Sequence, residues 1–101
     1  MRRLAGLGAA ALSLLVLPGC VSAPMPPPGT PEFAAAQASR GYDCGLRVDR
    51  GGIVAQMERG ERARFQAASR SYAVSAYRAP RACGAGERAR VQQELARLAG
   101  R

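Results

Sequence analysis

The apolar run LAGLGAAALSLLVL, residues 4–17, decides how much of this chain is left to fold. It follows Met1-Arg2-Arg3 and leads into Pro18-Gly19-Cys20. A positive start, a short uncharged run and a small residue before a cut site form the pattern of a secretory signal peptide. The run is 14 residues long. As a helix it reaches about 21 Å, short of the roughly 30 Å hydrocarbon core. It can engage an export machinery but is a poor permanent span. A general signal peptide with a chance cysteine, or an uncleaved apolar anchor, are the other readings of these residues.

LPGC, residues 17–20, resembles the lipobox of bacterial lipoprotein precursors. Leu17 is the aliphatic residue three before the cysteine and Gly19 the small residue directly before it; Pro18 stands where a small or aliphatic residue is usual. The resemblance implies that the Cys20 thiol carries a diacylglyceryl group. It implies cleavage before Cys20 and acylation of the new amino group. One acyl chain binds a membrane only marginally, at about 0.8 kcal/mol per buried CH₂, whereas two or three on one cysteine make release very slow. In Gram-negative lipoproteins an aspartate after the cysteine commonly retains the protein at the inner membrane. This chain has Val21 there, so the resemblance implies a cell-envelope protein anchored in the outer membrane and facing the periplasm. It covers only about the first 20 residues and implies nothing about the fold beyond them.

Cleavage before Cys20 takes 19 of 101 residues and leaves 82, enough for one small, marginal domain. Thirteen arginines and seven acids remain, a net charge of +6, with no lysine. A GC-rich genome would produce this arginine bias without function. The functional reading is affinity for anions: phospholipid headgroups, lipopolysaccharide phosphates or an acidic partner. No basic helix with interleaved aromatics marks a nucleic-acid binder. With Cys20 lipidated, Cys44 and Cys83 are left in an oxidising compartment, where a single disulfide is the simplest outcome. The alternatives are free thiols or an intermolecular bridge. The bridge would close a loop of about 40 residues and contribute roughly 4 kcal/mol on the chain-entropy model.

After the signal, residues 20–31 form a lipidated cysteine and a tether with five prolines in VSAPMPPPGTP. Such a segment is extended, and at about 3 Å per residue it could hold a domain some 30 Å off the membrane. A proline-rich ligand is the alternative. Residues 32–101 are the expected globular domain. Thr30-Pro31-Glu32 has the chemistry of a helix start, and FAAAQASR follows with Gly41 as its stop. Leu46 and Val48, then Ile53, Ala55 and Met57, then Ala63, Phe65 and Ala67, then Tyr72, Val74 and Ala76 alternate with polar or small neighbours. Turn signals fall at Arg50-Gly51-Gly52, Arg59-Gly60-Glu61 and Ser69-Arg70-Ser71. These spacings predict an α+β fold: a short N-terminal helix, a small antiparallel β-meander of about four strands, and a C-terminal amphipathic helix. The rival is a mostly α helical hairpin with one disulfide, its long helix over residues 53–72; Gly60 and Glu61 count against it. The C-terminal helix, residues 87–99, places Val91, Leu95 and Leu98 on one face. That stripe either covers the domain's own core or docks on a partner.

The chain has no histidine, which removes the commonest general base and metal ligand. The acids are scattered, no glycine-rich phosphate loop is present, and no paired cysteine spacing marks a zinc site. No catalytic residue, cofactor or metal is expected. The expected function is a non-enzymatic structural or interaction role, as an accessory subunit of an envelope complex. The alternative is a small periplasmic lipoprotein that binds a ligand or a cell-wall hydrolase. Tyr42-Asp43-Cys44 is loosely similar to small disulfide-bridged, lipid-anchored β-proteins that inhibit lysozyme.

Overall fold

A computed structural model describes residues 25–101. The signal peptide and Cys20 lie outside the described residues. The secondary structure within them is helical: α1 (Pro31–Asp43), α2 (Arg50–Ala55), α3 (Arg59–Arg78) and α4 (Ala85–Leu98). None of these helices is long and apolar enough to cross a membrane. The expected β-meander is therefore wrong, and the described residues are all-α.

The N-terminus of α1 is built as its sequence suggests. The Thr30 hydroxyl accepts from the Phe33 amide at 3.1 Å, Pro31 takes the first turn, and Glu32 complements the helix dipole. The stop is not Gly41. The helix runs on to Asp43, and Gly45, with φ +72°, turns the chain. Gly41 is a contact glycine instead. A Cβ there would lie 2.7 Å from Leu95 Cδ1 and 2.9 Å from Val48 Cγ2.

In the middle of the chain the glycines open helices rather than turn strands. Asp49 caps α2 by accepting from the Gly52 amide at 2.9 Å, so Gly51-Gly52 forms a first helical turn. Gly60 likewise sits in the first turn of α3, where its cost is smaller than in a helix interior. Glu61 accepts from the Glu58 backbone N–H at 3.0 Å, the capping-box arrangement. A glutamate on the apolar side of the helix is thereby satisfied. From there α3 continues for 20 residues through Ser69-Arg70-Ser71 without a break. Phe65 is fully buried, and Ala68 and Tyr72 pack on the core from the same side.

Helix α1 is the central element. Both α3 and α4 pack against it, and α2 packs against α4. Its buried Ala34, Ala35, Ala36 and Ala38 have short side chains, so neighbours on more than one side can approach its backbone closely. The main core joins Ala34, Ala35, Ile53, Phe65, Val91, Leu95 and Ala99. Fully burying a side chain such as Ile53 or Phe65 contributes about 1.5–3 kcal/mol. Helix α4 forms close to where expected, and Gly100, at φ +83°, ends it. It covers helices rather than a sheet.

Candidate functional site

Two regions collect the chain's chemistry: a buried ionic junction at the end of α1, and a groove with a cationic edge along α3.

The junction is centred on Arg40, a charged side chain only 6% exposed. Helix α1 points it at the start of α4. Its Nε and Nη2 donate to the two Glu87 carboxylate oxygens at 2.6 and 2.7 Å, a bidentate pair. Nη1 donates to Asp43 at 2.7 Å and Nη2 also to the Ala82 carbonyl at 3.1 Å. Hydrogen bonding to Arg40 holds the Glu87 carboxyl below its usual range, against an opposing effect of desolvation. Glu87 in turn raises the Arg40 pKa. Cys44 and Cys83 sit beside this cluster as a disulfide pair, their Cα atoms 5.1 Å apart. Arg88 donates to the Cys44 carbonyl. The end of α1, the loop after α3 and the first turn of α4 are thus tied at one point.

The same place brings both sulfurs and a Glu87 oxygen within 4.8 Å of one another. This does not make a metal site. The sulfurs face each other at bonding distance, and both Glu87 oxygens accept from Arg40. Such a set offers no free thiolate or carboxylate donor.

The groove runs between α1 and the C-terminal half of α3 and has a volume of about 490 Å³. Ala36, Tyr72, Ala76 and Ala79 give it an apolar wall, half-exposed Met25 of the tether lines its edge, and Arg40 and Arg81 are its charged lining residues.

Charge is unevenly distributed. Glu32 pairs with Arg64 at 2.7 Å, Asp49 with Arg101, Glu94 with Arg97, and Asp43 and Glu87 with Arg40. Hydrogen bonding to Arg64 lowers the Glu32 pKa. The Asp49 pKa is lowered first by the Gly52 amide and then by Arg101. Between Glu61 and Glu87 the sequence has no acid but five arginines: Arg62, Arg64, Arg70, Arg78 and Arg81. On the outer side of α3, Arg70, Val74 and Tyr77 follow at helical spacing. Val74 is 50% exposed and Tyr77 89%. Sequence reasoning missed this face because it placed Tyr72, Val74 and Ala76 on one side of a strand. The absence of acids from 62 to 86 was the available signal.

Of the residues singled out by sequence, Cys44 and Cys83 are brought together, and Cys20 lies outside the described residues. Val91 and Leu95 are buried and Leu98 is partly buried against them. That stripe packs into the domain's own core. No protein-family model, curated protein or solved structure matches the chain.

Proposed function

We propose that this chain is a lipid-anchored cell-envelope protein with a non-enzymatic structural or interaction role, an accessory subunit of an envelope complex. The observation that carries it is LPGC at residues 17–20, after a charged start and a short apolar run. Acylated Cys20 would hold the protein in the membrane, and Val21 favours the outer one. The domain suits binding rather than turnover. Its most buried charge, Arg40, is engaged by Asp43, Glu87 and Ala82, which leaves it little capacity for a substrate. The resemblance to lysozyme inhibitors loses its ground, because those are β-proteins and this domain is helical.

The test is labelling of growing cells with a radioactive fatty acid, comparing the natural chain with Cys20→Ser. The natural chain should carry label and sediment with outer membranes, and the variant should lose both. An unlabelled natural chain would end the proposal. Cross-linking in cells should then give a discrete band for the partner. Polar substitution of Leu95 is unsuitable as a docking test, because it would disturb the core.

A further inference from the structure

Resting on the anchor reading, we propose that the C-terminal end of α3 and the turn after it form the face that lies on anionic phospholipid headgroups of the leaflet holding Cys20. The first observation is where the chain arrives. Met25, itself 55% exposed, lines the same groove as Tyr72, Ala76, Ala79 and Arg81. Only five residue steps separate Met25 from Cys20. Fully extended they span at most about 18 Å. The acylated cysteine therefore keeps this end of α3, rather than the α2–α4 side, close to the bilayer. The surface potential decays over about 8–10 Å at physiological salt, so the charges here feel it when the leash is less than fully extended.

The second observation is what this end presents. Arg70, Arg78 and Arg81 are exposed, and none has an ion-pair partner among the described residues. The acid that follows Arg81 in sequence, Glu87, has both oxygens on Arg40 and lies within electrostatic reach of Arg81 without pairing with it. Nothing of opposite sign in residues 62–86 offsets the arginines. Val74 and Tyr77 stand exposed between them. A tyrosine with an apolar ring and a polar tip suits the headgroup level, and arginine stems can lie along it with their charges in water. Cation, aromatic ring and short leash coincide at one end of one helix.

The test uses acylated protein purified from membranes, its acyl groups confirmed by intact mass. It is reconstituted into vesicles of phosphatidylcholine alone and of phosphatidylcholine with phosphatidylglycerol. Amide hydrogen exchange is then followed along the chain. The expected result is exchange slowed about fivefold or more over residues 74–83 on the phosphatidylglycerol vesicles only. High salt should reverse it. The double variant Arg78→Glu/Arg81→Glu should abolish it, with unchanged far-UV circular dichroism showing that the domain still folds. Equal exchange on both vesicle types, or slowing confined to α2 and α4, would overturn the proposal while the anchor stands. A mass without acyl groups would remove the anchor and this orientation together.

Discussion

Replacing Arg40 by alanine would leave Asp43 and Glu87 facing a cavity with no cation between them. Their side chains are 20% and 31% exposed, so they can rehydrate in part. Breaking a buried pair by removing one partner costs about 3–5 kcal/mol. Partial access to water places this case near the lower end, at about 3 kcal/mol. The described domain has 77 residues, and at about 0.05–0.15 kcal/mol per residue its whole stability is roughly 4–12 kcal/mol. One side chain thus carries a quarter or more of the total. Glu87→Gln is milder, because the shape and one acceptor survive while the charge assistance is lost; about 1.5–2 kcal/mol is expected. The two changes should be far from additive, with a coupling above about 1 kcal/mol, because they remove the same contact. Urea unfolding followed by far-UV circular dichroism, with the disulfide intact at neutral pH, measures all three variants. A loss below about 1 kcal/mol for Arg40→Ala would refute the junction's energetic role. So would additive single changes.

The same junction fixes a pH dependence. Glu87 has its folded pKa lowered, chiefly by the hydrogen bond to Arg40. A depressed carboxyl contributes stability that is complete above its unfolded value, about 4.3. The contribution is lost as pH falls through the folded value. Below about pH 4 the natural protein should therefore lose stability more steeply than Glu87→Gln, and parallel acid titrations would contradict this assignment. Gly41→Ala should destabilise by about 1 kcal/mol in a thermal melt, because overpacking against Leu95 and Val48 outweighs the gain in helix propensity. Gly60→Ala has open space around its added Cβ and should be neutral or stabilising by about 0.5–1 kcal/mol. Phe65→Ala empties a fully buried site and should cost about 3–5 kcal/mol in urea titrations. Reduction by dithiothreitol should cost roughly 4 kcal/mol if Cys44 and Cys83 are bonded, whereas an unchanged melting temperature would count against the bridge.

The ends of the domain were legible in the sequence because their signals are local. Thr30-Pro31-Glu32 specifies a helix start through chemistry within three residues, and Val91, Leu95 and Leu98 report a helical period directly. The middle was not legible for an equally physical reason. Gly51-Gly52 and Gly60 have the composition of turns, and only the side chains of Asp49 and Glu61, folding back onto backbone N–H groups, make them helix starts. Gly41 could not be told from a stop signal without the position of Leu95, 54 residues further on. Cysteine arithmetic found the Cys44–Cys83 pair. It could not find Arg40, whose partner Glu87 lies 47 residues away and carries no motif. The exposed face of α3 was hidden by a strand reading, although its lack of acids was visible throughout.

The measurement that bears most directly on the account is the intact mass of the protein taken from a membrane fraction, before and after reduction. The account predicts a chain that begins at Cys20, carries acyl groups, and gains the mass of one hydrogen pair when reduced. A chain that keeps its first 19 residues, or bears no acyl group, would contradict the lipid anchor. A mass that reduction leaves unchanged would contradict the bridge between Cys44 and Cys83.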